Sequence, residues 1–221
     1  MSKVIALKAA SQCGKSTLSR ALAAHYTQRG YKVVETSFSD FVREEIASYR
    51  AYNWEGSFAE HIKFKDLVDA LGTEFYASDI TIEQALALRP ASAPSRALQQ
   101  WWGQDFRRGQ DPLYWVKKSI AANIQHILDP DTVLIEGSCR QPNEGAYVHA
   151  LDGVVLDLAK LPAPTDSEAT ARSHSVEQVV DSWRGDIEVD MRKYFALSPT
   201  HQDRWIKTLA GQIENYNLQE N

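Results

Sequence analysis

The chain has 221 residues, 43% of them hydrophobic and 24% charged, and a net charge of -5. That length and balance exclude a disordered or low-complexity chain and suit one α/β domain with a full core and a mobile lid. The negative balance also excludes a uniformly basic nucleic-acid-binding surface, although a local basic patch is compatible with it. Cys13 and Cys139 stand in predicted loops rather than at framework spacings, which fits a reduced, cytoplasmic setting. No apolar run approaches the roughly 20 residues that span a bilayer, so no membrane partner is expected.

Val4 to Leu7 is a short apolar run with β-branched members, hence a buried strand. It leads into Ala9-Ala10-Ser11-Gln12-Cys13-Gly14-Lys15-Ser16-Thr17. Leu18, Ala21, Leu22 and His25 then recur at helical spacing up to Arg29, and Gly30 stops the helix. Tyr31 to Thr36 reads as a second strand. Ser39 is placed to cap a helix over Asp40 to Ser48. The stretch from Tyr49 to Arg89 is charged and aromatic, with helical pieces whose limits the pattern does not fix. Pro90 to Ser95 reads as a loop and Arg96 to Arg107 as a helix. Asp111 followed by Pro112 opens a further helix through Leu128, closed by Asp129-Pro130-Asp131. Thr132 to Ile135 is the next buried strand, ending at Glu136-Gly137, and Gly153 to Leu158 another. Leu161 to Thr170 carries Pro162 and Pro164 and reads as a mobile loop, with a lid over roughly 160–175. Ser175 and Gln178 form a capping box, and Ser198-Pro199 starts a last helix with Trp205, Ile206, Leu209 and Ile213 on its apolar side. Strands alternating with helices predict a parallel sheet covered on both faces, within a single domain.

The segment from Ala9 to Ser16 has the spacing of a phosphate-binding loop, A-x-x-x-x-G-K-S, between a strand and a helix. Such a loop aims backbone N–H groups at a β-phosphate, and the helix that follows adds its positive dipole end. Ser11, Gln12, Cys13, Gly14, Lys15, Ser16 and Thr17 are the predicted nucleotide-binding residues. Lys15 would reach the β- and γ-phosphates, and the Ser16 hydroxyl would ligate Mg²⁺. Ala9 stands where glycine is usual and is acceptable only if its φ stays negative. No N-K-x-D guanine-specificity motif is present.

With these motifs the chain resembles the bacteriophage deoxynucleoside monophosphate kinases. The matching segments are the phosphate loop, Phe38-Ser39-Asp40, Arg96 to Trp115, Val133 to Glu144 and, weakly, Arg172 to Glu177. Arg96, Gln100, Gly103, Asp105, Arg108 and Trp115 match a family motif. Ser138-Cys139-Arg140-Gln141-Pro142-Asn143-Glu144 matches D-V-R-F-P-N-E, keeping its Arg, Pro, Asn and Glu. The resemblance implies a three-layer P-loop kinase fold with about five parallel strands, and ATP and Mg²⁺ as cofactors; a homodimer is compatible with the chain. It implies that Arg140 holds phosphate and that Arg172 is a lid arginine. Asp40, Arg43, Arg96, Gln100 and Arg108 would lie on the acceptor side, and Trp115 would wall a base pocket. Trp115 equally suits a core position.

The family Asp of D-V-R is Ser138 here, and Glu136 stands two places earlier. Residues i and i+2 of a strand project from one face, so Glu136 approaches the same site from one step back. A monophosphate acceptor needs no base, whereas a hydroxyl acceptor gains from a carboxylate that takes its proton. Deoxynucleoside kinases look similar at this strand end. Two acceptors follow: the 5-hydroxymethyl group of hydroxymethyluracil in phage DNA, or a free deoxynucleoside monophosphate. A nucleotide-binding regulator without transfer activity is the third alternative. Lys15, Glu136, Arg140 and Arg172 are the predicted catalytic residues, with Ser16 and Glu136 at the metal.

Overall fold

The computed structural model describes residues 4–10, 13–48, 56–75, 93–159 and 179–219. These fall into two compact units, one within Met1–Phe38 and Ile120–Asn221, the other within Ser39–Ser119. The predicted lid, Arg172, Ser11, Gln12 and the Ser175 capping box lie outside the described residues.

The first unit is built on a five-stranded, all-parallel sheet: β1 (Val4–Lys8), β2 (Lys32–Thr36), β3 (Thr132–Cys139), β4 (Val154–Leu158) and β5 (Ile187–Val189). The spatial order is β2-β3-β1-β4-β5. Its helices are α1 (Lys15–Gln28), α6 (Pro142–His149), α7 (Met191–Phe195) and α8 (Pro199–Gln219). The fold is α/β with a parallel sheet, as the alternation of elements predicts. Ile5 and Leu7 of β1, Val133 and Ile135 of β3, and Val154, Leu156 and Leu158 of β4 share one core. Leu18, Leu22 and Tyr26 of α1 and Ile206, Leu209 and Ile213 of α8 complete it. The side-chain period of two then sends Lys8, Glu136 and Asp157 to the other face.

Two strand boundaries differ from expectation. β3 runs on to Cys139 because β1 pairs with it through an irregularity: Ala6 faces Glu136 but Lys8 faces Cys139. The extra residue keeps β3 in the sheet past Gly137, as a bulge does. β5 has only three residues at the sheet edge, too short for a legible pattern.

The second unit is helical: most of α2 (Phe38–Ser48), then α3 (Phe58–Phe75), α4 (Ala93–Gln100) and a π-helical segment over Trp101–Arg107. The unit boundary falls inside α5 (Tyr114–Leu128). Aromatic packing organises the core, with Phe64 5.2 Å from Trp102 and Trp101 stacked 5.4 Å from Phe106, ring centroid to centroid. Helix starts also shift. α2 opens at Phe38 instead of being capped by Ser39, and Ala93 to Ser95 is helical rather than loop. Asp111 does cap a turn, its Oδ1 accepting the Leu113 N–H at 2.9 Å, but α5 begins only at Tyr114.

Candidate active site at the phosphate loop

The chain leaves β1 towards β2 on one side and leaves β3 towards β4 on the other, yet β1 and β3 are neighbours. Adjacent strands with opposite exits make a topological switch point, where open α/β sheets bind ligands beyond the carboxyl ends of the strands. The phosphate loop follows β1, and Arg140 follows β3.

Gly14 takes φ 87° and forms the N-cap of α1, a left-handed conformation that suits glycine. Its carbonyl accepts the N–H groups of Thr17 at 3.1 Å and Leu18 at 3.0 Å, which starts the helix. Asp152 is the one non-glycine residue with positive φ among the described residues, so the condition on Ala9 is met. Lys15 Nζ donates to the carbonyls of Ala9 at 3.0 Å and Ala10 at 2.6 Å, folding the ammonium across the loop. Cys13 is buried, while Ser16 is exposed.

Glu136 is 1% exposed. Its Oε1 accepts the Ser138 N–H at 3.0 Å, the Ser138 hydroxyl at 3.2 Å and the Phe38 N–H at 3.1 Å. Ser37 donates to the Ser138 hydroxyl at 2.8 Å. Glu136 and Ser138 therefore lie on one side of the strand, as the i, i+2 spacing predicts. Glu136 Oε2 is buried and has no hydrogen-bond partner among the described residues. Burial, then the negative charge of Glu144, pushes the Glu136 carboxyl up to about 8 against the bonds from Ser138 and Phe38. Glu144 is itself buried at the start of α6. It accepts the N–H groups of Arg140 at 2.6 Å and Gln141 at 3.0 Å. That capping box fixes the turn carrying Arg140.

Lys8 and Asp157 are residues that local pattern does not single out. Lys8 is 3% exposed, and its Nζ donates to Asp157 Oδ1 at 2.8 Å. Asp157 Oδ2 accepts the Gly185 N–H at 3.1 Å. The available signal was one charge in each of two apolar strands, Val-Ile-Ala-Leu-Lys and Val-Val-Leu-Asp-Leu. An isolated charge inside a buried strand needs a partner.

The acceptor-side candidates all belong to the second unit. Arg43 pairs with Asp40 one turn earlier, and its Nη1 lies 3.5 Å from Gln99 Oε1. Arg96, Gln100 and Arg108 are half-buried. Trp115 is 1% exposed and donates its indole N–H to the Gly103 carbonyl at 2.8 Å, a core position in that unit. Three basic residues near it, Arg107, Lys117 and Lys118, are each paired with a carboxylate. Glu45 pairs with Arg107 and, at 2.6 Å, with Lys118, and it accepts from Trp102 at 3.1 Å and Tyr114 at 2.8 Å. Lys117 pairs with Asp111 at 2.7 Å.

No protein-family model matches the chain, and no curated protein matches it. Among solved structures, one described as a "putative kinase" from Chloroflexus aurantiacus superposes with a TM-score of 0.44 at 13% identity. That match covers 96% of this chain and 99% of the other. Likeness of that degree says nothing about activity. The resemblance to the phage kinases is carried by the motif residues alone. Among the described residues no helix is long and apolar enough to cross a membrane.

The side chains present suit Mg²⁺. Ser16 Oγ and the buried Glu136 Oε2 are hard oxygen donors, and Mg²⁺ takes few protein ligands beside waters and phosphates.

Proposed function

We propose that the chain is an ATP-dependent phosphotransferase acting on a hydroxyl acceptor. The acceptor that the resemblance offers is the 5-hydroxymethyl group of hydroxymethyluracil in phage DNA. The observation that carries the proposal is Glu136, a buried carboxyl with one oxygen unclaimed, on the strand beside the phosphate loop. A carboxyl pushed up to about 8 holds its proton affinity near neutral pH, where a general base is most effective.

In this mechanism the loop N–H groups hold the triphosphate, and Lys15 turns from the Ala9 and Ala10 carbonyls to the phosphates. Ser16 and, through a water, Glu136 would hold Mg²⁺, which would supply charge neutralisation on the phosphates. Glu136 Oε2 takes the acceptor's hydroxyl proton as the acceptor oxygen bonds to the γ-phosphorus. The bond from that phosphorus to the bridging oxygen breaks, and ADP leaves. Arg140, and Arg172 as the proposed lid arginine, stabilise the charge on the transferring group.

A second reading is transfer to a free deoxynucleoside monophosphate. It is favoured by the bonds at Glu136 Oε1, which give the residue a structural duty without an acceptor proton. Labelled ATP offered side by side to each deoxynucleoside monophosphate and to DNA containing hydroxymethyluracil separates the two. Label in the DNA, weakening steeply with salt, supports the first. Label only in diphosphates overturns it.

A further inference from the structure

We infer that Trp183 is a positioning residue for Arg140, and that the Lys8–Asp157 pair holds Trp183 in place. The inference rests on the phosphotransfer reading of this site. The Trp183 indole N–H donates to the Arg140 carbonyl at 3.1 Å. Glu144 holds the Arg140 N–H at 2.6 Å, so the backbone of this residue is fastened on both sides.

The ring itself is fixed from two directions. Lys8 Nζ lies 5.1 Å from the Trp183 ring centroid, a cation–π distance. Lys8 cannot turn away, because it is buried and paired with Asp157. Asp157 in turn holds the Gly185 N–H, two residues past Trp183. On another side the ring lies against α6 at Gly145. A Cβ on Gly145 would come within 2.7 Å of Cζ3 and 2.8 Å of Cη2 of the indole. The absence of a side chain there leaves room for Trp183. Lys8 also immediately precedes the phosphate loop. The same assembly therefore joins the end of β1, the end of β4 and the turn that bears Arg140.

Two variants test this. Trp183→Phe keeps an aromatic face for Lys8 but removes the N–H together with part of the ring's bulk. It should lower kcat by about threefold to tenfold, the usual weight of one hydrogen bond, with KM for ATP unchanged. Gly145→Ala favours the helix but pushes the indole off its seat, so it should lower kcat in the same way. Both losses should vanish in an Arg140→Ala background, since a positioning residue has nothing left to position. A purely structural role predicts losses that persist in that background and follow thermal stability. Wild-type kcat in Trp183→Phe, or losses that multiply with Arg140→Ala, would overturn the inference and leave the phosphotransfer reading standing. A wild type that transfers no phosphate from ATP to any acceptor would remove both.

Discussion

Glu136 accepts the backbone N–H of Phe38 at 3.1 Å, so the carboxyl at the end of β3 also holds the first residue of α2. One side chain thus faces two demands. Its Oε1 works as a cap whether or not the group is ionised. Its Oε2 becomes a base or a metal ligand only when the proton has left. Substitution by glutamine separates the two demands, because the amide oxygen still accepts from Phe38 and Ser138. Glu136→Gln should therefore fold as the wild type does but lose about 10²- to 10⁴-fold in kcat for a hydroxyl acceptor. ATP hydrolysis without acceptor should fall less. Recovery of most of the rate at raised Mg²⁺ would instead assign Glu136 to the metal alone and favour a monophosphate acceptor.

The same carboxyl sets a pH dependence of stability. Its pKa in the folded chain is raised to about 8 from an ordinary 4.5. Between those values the folded state holds a proton that the unfolded chain releases, so stability falls as pH rises. The contribution is complete below about 4.5 and lost by about 8. Urea unfolding across that window should show the wild type weakening relative to Glu136→Gln. Parallel curves for the two proteins would contradict the buried protonated state.

Lys15→Ala should abolish transfer and leave the fold intact, because the Lys15 Nζ bonds to the Ala9 and Ala10 carbonyls lie within the loop itself and tie no other element to it. Its ammonium neutralises charge that grows in the transition state. Retention of more than about a tenth of the rate would contradict the phosphate-loop assignment.

The Lys8–Asp157 pair should respond differently to one substitution than to two. Lys8→Met alone strands a buried carboxylate and should cost about 3–5 kcal/mol. Adding Asp157→Asn removes that charge while its amide oxygen still accepts from Gly185, so the double variant should recover most of the loss. Equal melting of the single and double variants would show that the charges are not coupled in the folded state.

These cases show where the sequence was legible. The phosphate loop, β1 and α1 could be read because their pattern is local: an apolar strand, a spaced Gly-Lys-Ser, then helical recurrence. Glu136 could be read because one period-two step relates it to Ser138. The Lys8–Asp157 pair joins residues 149 positions apart, and only the strand order brings them together. The π-helical segment over Trp101–Arg107 was read as ordinary helix, since its apolar residues satisfy either period. The pairing of Arg107 with Glu45 was not legible, because Glu45 lies 62 residues earlier.

Glu45 supplies the opposite pH response to Glu136. Burial works to raise its pKa, but hydrogen bonds from Lys118 and Tyr114 and the charge of Arg107 outweigh it, and the carboxyl is held below its ordinary value. Its contribution to stability is therefore present above the ordinary carboxylate range and is lost as pH falls through the folded value. Glu45→Gln should remove that acid sensitivity while its single amide oxygen still accepts from one of Trp102 and Tyr114, which donate to different oxygens of Glu45. At neutral pH it should also destabilise by about 3–5 kcal/mol, since the buried Arg107 loses its counter-charge. Unfolding midpoints of the wild type and Glu45→Gln should then converge as pH falls, whereas those of the wild type and Glu136→Gln converge in the same direction from the opposite sign. A gap between the wild type and Glu45→Gln that stays constant down to strongly acid pH would show that Glu45 is not the ionised centre of the second unit.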